Sequence, residues 1–277
     1  MTDDAPAPET TAWPLPAAAD ATARAWLLAG APPGPVPRQA ASVCLLRDAP
    51  EHPGRVEVLW ITRGRSLAVA PGALAFPGGA VDPVDRARRR DEPGPPARFA
   101  VMARAAAREL AEETGHVVAA PTLRPLARWV TPEHEPRRFD TTFLVGVLPP
   151  AADPEPLPPG EVHEHGWARP DDLLDDVLAG RRVALPPTRA VLALLARATG
   201  GGPGGVPGGG PGGGPGPGPG AVPGGDPGGA SAVVGLLAEQ AVLVPVVPRA
   251  TWRDGDGREP SVRGVDLRLP RHAGEVP

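Results

Sequence analysis

The chain has 277 residues, of which 28 are Lys or Arg and 32 are Asp or Glu, so its formal net charge is −4. A weakly acidic chain lacks the strongly basic field of a nucleic-acid-binding protein, so we expect no nucleic-acid partner. The single cysteine, Cys44, excludes an internal disulfide and a cysteine-rich zinc cluster. No apolar run approaches a membrane span and the first residues lack a basic signal region, which together predict a cytoplasmic protein without a membrane partner.

Residues 1–38 form an N-terminal tail that is rich in Ala and Pro. Within this tail, residues 21–28 predict a short helix, from which Trp26 is able to dock on the domain that follows. We expect the rest of the tail to be loose, as terminal segments of this composition usually are.

A domain that mixes strands and helices is predicted over residues 39–199, so the residue pattern alone indicates the α/β class. A helix is expected at residues 98–114, because Ala, Leu and Met recur there at helical spacing and Gly115 can end it. Strands are expected at residues 43–47, 56–62, 73–76, 117–119, 126–130, 139–147 and 162–168, and further helices at 171–178 and 188–198, with Thr188 as the cap of the last helix.

The end of the chain begins with a tract of Gly and Pro at residues 200–230, which cannot build a core and is predicted to be a disordered linker. The C-terminal segment, residues 231–277, contains a helical stretch at 233–239 and strand candidates at 241–247 and 265–269. This segment is too short to fold alone, so we expect it to dock on the main domain.

Three glutamates in the predicted long helix carry the strongest chemical signal. Glu109, Glu112 and Glu113 are spaced i, i+3 and i+4, so they project from one face of the helix. Like charges crowded on one face repel each other, and a bound Mg²⁺ or Mn²⁺ would relieve the repulsion because hard cations prefer carboxylate oxygens. The alternative for an isolated glutamate cluster is a solvated, inert helix face. A glycine turn upstream, Phe76-Pro77-Gly78-Gly79, favours the metal site.

Together these residues resemble the Nudix box of the Nudix hydrolases. Gly79 opens the box, and the run from Arg108 to Gly115 matches its second half position by position. The chain departs from the pattern in three ways: Asp85 stands where the box has its first Glu, His116 replaces an aliphatic residue, and residues 86–107 fill a gap that normally holds seven residues. The charged and Pro-rich part of this gap, residues 86–97, is predicted to be a surface loop.

The resemblance implies a Nudix-type α/β/α sandwich with a mixed β-sheet and a loop-helix-loop box. It also implies that Glu109, Glu112, Glu113 and the backbone carbonyl of Gly78 hold Mg²⁺ or Mn²⁺, while Arg108 holds a box glutamate in its rotamer. A glutamate outside the box serves as general base in many members, and Glu164 is the candidate here, with Glu161 as the alternative.

A second segment resembles the coenzyme A diphosphatases within this family. It contains Arg63, Arg65 and Ser66, followed by Pro71-Gly72, and a later run around Arg138 resembles a peroxisomal-type subgroup. The resemblance implies that Arg63, Arg65, Ser66 and Arg138 contact the substrate. Surface arginines, and for Arg138 a salt bridge at a strand end, are the structural alternatives.

The expected activity is therefore Mg²⁺-dependent hydrolysis of the diphosphate linkage in a nucleoside diphosphate derivative, with coenzyme A or acyl-coenzyme A as the preferred substrate. ADP-ribose or NADH is the alternative substrate. A non-catalytic Nudix module that senses nucleotides is the alternative function, and the resemblance leaves a homodimer open.

Overall fold

The computed structural model describes residues 10–13, 17–64, 70–87, 98–149, 162–200, 229–239, 246–247, 249–252 and 260–265. The strands are β1 (Thr10–Trp13), β2 (Arg38–Asp48), β3 (Val56–Arg63), β4 (Leu74–Ala75), β5 (Gly78–Ala80), β6 (Arg124–Val130), β7 (Phe139–Val147), β8 (Val162–Ala168), β9 (Arg249–Trp252) and β10 (Pro260–Val265). The helices are α1 (Ala17–Leu28), α2 (Pro83–Arg86), α3 (Arg98–Thr114), α4 (Pro170–Leu178), α5 (Pro186–Ala198) and α6 (Gly229–Glu239), with a short 3-10 helix at Ala120–Thr122.

A mixed sheet of seven strands forms the centre of the molecule. Its strand order is β4-β3-β2-β7-β6, with β5 also paired to β2 and β8 also paired to β3. Strands β2 and β7 run parallel, whereas the other pairs in this sheet are antiparallel. This pairing places β5 and β7 on opposite sides of β2, so the glycines of β5 and the polar residues of β7 are separated by one strand.

Helices cover both faces of the sheet. On one face, Met102 and Leu110 of α3 belong to a buried cluster with Val43, Leu45 and Leu144 of the strands. On the other face, the larger cluster joins apolar residues of α4, α5 and α6 to the sheet. The predicted α/β/α sandwich with a mixed sheet is therefore confirmed.

Helix α3 has the predicted bounds, Arg98–Thr114, because its sequence contains both a buried apolar face and a glycine that ends the helix. Ala105, Ala106 and Leu110 are fully buried at helical spacing. Gly115 then adopts φ +72°, which glycine reaches without the strain that a side chain would bring, and its N–H donates to the carbonyl of Ala111.

Three local predictions inside the domain are wrong. Residues 117–119 form no strand, since Val117 is exposed and a 3-10 helix containing Pro121 follows at once. Thr188 does not cap α5, which begins two residues earlier, at Pro186, a residue whose fixed φ suits a first helical position. Gly78–Ala80 is a short strand on β2 rather than only a turn.

The N-terminal tail contains more structure than the sequence predicts. Helix α1 is longer than the expected 21–28, and β1 forms a three-stranded antiparallel sheet with β10 and β9. Trp26 docks as expected: its ring centroid lies 6.1 Å from that of His134, and its Nε1 donates to the carbonyl of Pro32.

The C-terminal segment contacts the main sheet through α6. Ala230, Val233 and Leu237 are buried in the larger core cluster, and the N–H of Ala230 donates to Asp48 Oδ1 at 2.7 Å. Val246 then pairs with Trp129 on β6. Residues 201–228 lie outside the described ranges, and the predicted limits of the tail, domain and linker stay predictions. Within the described ranges, no helix is long and apolar enough to cross a bilayer.

Candidate active site

The short strand β5 and helix α3 form one unit through the box residues. The N–H of Gly78 donates to Glu113 Oε2 at 2.8 Å. At Gly79, an added Cβ would collide with the carboxylate of Glu109, so this carboxylate occupies the space that a side chain would otherwise fill. Two glutamates of α3 are thus held against the backbone of β5.

Gly78 is required by its backbone as well as by its neighbours. Its φ of +156° favours glycine, and a Cβ there would collide with the carbonyl of Ala41 and with the Cα of Ser42. The hydroxyl of Ser42 donates to the carbonyl of Pro77 at 3.0 Å, and the N–H of Val43 donates to the same carbonyl at 2.8 Å. The turn before β5 is therefore fixed directly against β2.

Arg108 connects the box helix to α2. Its Nε and Nη2 donate to the two carboxylate oxygens of Asp85 at 3.1 and 2.9 Å, and Nη2 also donates to the carbonyl of Ala80. Its Nη1 donates to Glu109 at 3.0 Å and to Glu112 at 2.9 Å. Arg108 thus makes the contacts with box glutamates that the resemblance implies.

Asp85 is more central to the site than the sequence indicates. It is only 3% exposed, and it also accepts a hydrogen bond from the N–H of Asp82 at 2.8 Å. Arg104 Nε donates to its backbone carbonyl. The signal was its position six residues after Gly79, which is the place of the first box glutamate. The shorter side chain fits because α2 brings it within reach of Arg108.

Burial and Arg108 have opposite effects on the pKa values of Asp85 and Glu109, two acidic groups that Arg108 contacts. Burial raises the pKa of Asp85, but the hydrogen bonds from Arg108 and from the N–H of Asp82, with the charges of Arg108 and Arg104, together outweigh burial, so the pKa lies below its usual range. For Glu109, burial is the largest effect and outweighs Arg108, so its pKa is raised. The pKa of Arg108 is itself raised, chiefly by its hydrogen bonds to Asp85, and the guanidinium stays charged.

The donor set of α3 suits a hard divalent cation by its chemistry, because three carboxylates and a backbone carbonyl of Gly78 supply only oxygen ligands. The carboxylates do not converge: in the described part of the chain, no three His, Cys, Asp or Glu side chains are grouped as metal ligands. Arg108 draws Glu109 and Glu112 to itself, whereas Glu113 bonds to Gly78. Glu112 is 58% exposed, so its side chain has room to turn towards a cation.

Glu164 is not brought to the box glutamates. It lies within β8, where its register partner is Thr62, and its side chain is exposed. Strand alternation puts it on the same face as Gly166, and a Cβ on Gly166 would contact the ring of Trp60, which belongs to the core cluster on the face away from α3. Its role as general base stays a prediction, as does that of Glu161, which lies outside the described residues.

The four expected substrate contacts are only partly visible. Arg65 and Ser66 lie outside the described ranges. Arg63 ends β3, where its N–H donates to the carbonyl of Ala73. Arg138 donates to the backbone carbonyls of Thr131 and Pro35, so its guanidinium ties the loop before β7 to the N-terminal segment. Substrate contact by these residues stays a prediction.

A salt bridge between β6 and β7 is a feature that the sequence does not predict. Asp140 pairs with Arg128 rather than with Arg138: Arg128 Nε and Nη2 donate to its two carboxylate oxygens, both at 2.7 Å. This pair lies on the sheet face that α3 covers, because the register partner of Arg128 is Thr142, which in turn pairs with Ala41. No local motif predicts such a pair, because the two residues are 12 positions apart in the sequence.

Comparisons with known proteins identify the family of the chain. A curated Caenorhabditis elegans protein named as nudix hydrolase 7 is 29% identical over a match of 188 residues. The match covers 54% of this chain and 57% of that protein, so the chain spans little more than half of its relative. The crystal structure of a NUDIX hydrolase from Alicyclobacillus acidocaldarius is 30% identical, with 58% of this chain and 92% of that chain covered and a TM-score of 0.49. The NUDIX domain of Shewanella oneidensis NrtR, solved with ADP ribose, is 17% identical, with 61% and 93% covered and a TM-score of 0.40. The family model of the NUDIX domain matches residues 36–186, more than half of the chain, and the chain therefore belongs to the NUDIX family.

Proposed function

We propose that the protein is a metal-dependent hydrolase that cleaves the diphosphate linkage of a nucleoside diphosphate derivative. The observation that carries the proposal is the glutamate face of α3, held against Gly78 and Gly79 of β5. A helix face of three glutamates that were only solvated would need neither a glycine backbone beside it nor a buried Asp85–Arg108 pair behind it.

Glu109, Glu112, Glu113 and the carbonyl of Gly78 would hold Mg²⁺ or Mn²⁺. When bound, the cation would neutralise charge on the diphosphate oxygens and favour ionisation of water. Glu109 contributes a carboxylate that is only 17% exposed, and burial raises its pKa, so further positive charge nearby would stabilise its ionised form. A divalent cation would supply that charge.

Asp85 and Arg108 act as positioning residues in this proposal. Asp85 binds Nε and Nη2 of Arg108, so that Nη1 faces the carboxylates of Glu109 and Glu112. Charge-assisted hydrogen bonds of this kind restrict the side-chain rotamers at both ends. The arrangement keeps the glutamates near β5 before substrate arrives, which reduces the cost of ordering them on binding.

Coenzyme A or an acyl-coenzyme A is the substrate that we propose, with 3′-phospho-AMP and a phosphopantetheine product released. The support is the sequence segment that contains Arg63, Arg65 and Ser66, which resembles the coenzyme A diphosphatases. ADP-ribose and NADH share the same scissile linkage and would use the same metal site, so selectivity must come from residues around the box.

Product analysis by mass spectrometry tests the proposal. The purified chain is incubated with coenzyme A, ADP-ribose or NADH, each with Mg²⁺, in parallel with Glu112→Gln. We expect 3′-phospho-AMP from coenzyme A, and we expect Glu112→Gln to lose it. Cleavage of ADP-ribose or NADH alone would keep the chemistry and contradict the substrate. Metal-dependent binding of a nucleotide without any cleavage would instead favour a sensor.

A further inference from the structure

Two arginines bind to neighbouring strands near the box, at the end of the sheet where β2 and β7 begin. Arg86, the last residue of α2, donates from Nη2 to Gln39 Oε1 at 2.6 Å. Arg128 is bound by Asp140 on β7. Gln39 and Asp140 are register partners on β2 and β7, so the two guanidinium groups are anchored on neighbouring residues of the sheet. We refer to Arg86 and Arg128 as the arginine pair.

The arginine pair is continuous with the candidate active site. Arg86 directly follows Asp85, the partner of Arg108. The backbone carbonyl of Gln39 accepts a hydrogen bond from the N–H of Val81, which lies two residues after Gly79. Because neighbouring strands are about 4.8 Å apart, β7 with its bound Arg128 lies about 10 Å across the sheet from β5. A ligand whose diphosphate lies at Glu109 can therefore reach the pair with its nucleoside part.

The local charge and hydrogen-bonding capacity suit an anion. Two guanidinium groups and one carboxylate leave a net positive charge at this position. Asp140 uses Nε and Nη2 of Arg128, so its Nη1 is not engaged by Asp140. Beside Arg128 in the register lies Thr142, whose buried hydroxyl has no hydrogen-bond partner in the described part of the chain.

We propose that the arginine pair binds a second phosphate of the substrate, one carried by the ribose and separate from the cleaved diphosphate. Arg128 is bound by both carboxylate oxygens of Asp140 and is 24% exposed, whereas Arg86 is exposed and, among the described residues, donates to Gln39. Two guanidinium groups on neighbouring strands can contact one phosphate, and guanidinium geometry matches phosphate oxygens. This inference rests on the proposed function, and it gives that site a selectivity for ribose-phosphorylated nucleotides.

Calorimetric binding of 3′-phospho-AMP and of AMP, each with Mg²⁺, tests the inference without any need for cleavage. We expect the wild-type chain to bind 3′-phospho-AMP at least about tenfold more tightly than AMP, because a hydrogen bond to a charged group contributes about 1.5–3 kcal/mol. Arg86→Gln and Arg128→Gln should each lower this ratio, and the double variant should bring it close to one. Loss of affinity for both nucleotides alike would contradict the inference.

Arg124→Gln is the matched control, since Arg124 lies on β6 like Arg128 but points to the opposite face of the sheet. It should leave the ratio unchanged. Arg86 is exposed, so Arg86→Gln carries the test even if Arg128→Gln, which removes two hydrogen bonds from the buried Asp140, fails to fold. A wild-type ratio near one, or no binding of either nucleotide, would overturn the inference. A high ratio without hydrolysis of coenzyme A would keep it and refute only the catalytic proposal.

Discussion

The pairing of Asp85 with Arg108 gives the sharpest prediction about stability. Replacing Asp85 by Asn keeps the size of the side chain but removes its charge and one of its two acceptor oxygens. Asp85 is 3% exposed and Arg108 is 21% exposed, so solvent screens the pair weakly. Asn retains a single acceptor, and a hydrogen bond to a charged group contributes about 1.5–3 kcal/mol, so we expect Asp85→Asn to lower the free energy of unfolding by about 2–3 kcal/mol.

Urea denaturation at pH 7 measures this loss, and a double-mutant cycle with Arg108→Gln separates the pair from its surroundings. We expect a coupling energy of about 2 kcal/mol between the two residues. Because the pKa of Asp85 is lowered in the folded state, its stabilisation is present above the unfolded pKa of about 3.9 and is lost as the pH falls through the folded value. The difference between wild type and Asp85→Asn should therefore shrink below pH 4. A coupling under about 0.5 kcal/mol at pH 7 would refute the reasoning, since ordinary surface substitutions have effects of that size.

Further predictions concern the glycines, Glu164 and His116. Gly78→Ala should lower the melting temperature, because the added Cβ would collide with the backbone of β2. Gly79→Ala should keep the melting temperature but lower kcat, because the added Cβ would displace the Glu109 carboxylate. Equal melting temperatures for the two variants would contradict this difference. If Glu164 is the general base, Glu164→Gln should lower kcat at least about a hundredfold, and a change of less than tenfold would exclude that role. Burial lowers the pKa of His116, so the folded chain should lose stability as the pH falls below about 6.5, by at most about 1.4 kcal/mol per pH unit. His116→Val should weaken that dependence in urea titrations, and an unchanged slope would be evidence against it.

The parts of the fold that the sequence predicts well are those that local rules determine. Helix α3 was predicted residue by residue, because its apolar spacing and Gly115 both act within one turn. Strands β7 and β8 also have their predicted bounds, since their apolar or alternating runs are bordered by Pro, Gly and charged residues. The box itself could be found because its glycine, arginine and glutamates keep a fixed order.

The parts that the sequence does not predict depend on contacts between distant residues. Strand β1 forms by pairing with β10, which lies more than two hundred positions away, and no local sequence pattern predicts that pairing. The role of β5 follows from the register with β2, which brings Gly79 opposite Ala41. The face on which Glu164 lies, and the pairing of Arg128 with Asp140, follow from strand register in the same way. Composition and residue spacing identify candidate residues, but they do not determine which face of the sheet each residue occupies.

The central claim is that the glutamate face of α3 holds a divalent cation. Mn²⁺ binding followed by electron paramagnetic resonance tests it directly, with the wild-type chain, Glu112→Gln, Glu113→Gln and, as a control, Glu51→Gln on the exposed loop after β2. We expect the wild-type chain and Glu51→Gln to bind Mn²⁺ equally, and each substitution in α3 to weaken binding at least about tenfold, as loss of one charged ligand worth about 1.5–3 kcal/mol would do. Equal Mn²⁺ affinity in all four proteins, or no binding by the wild-type chain, would contradict the account.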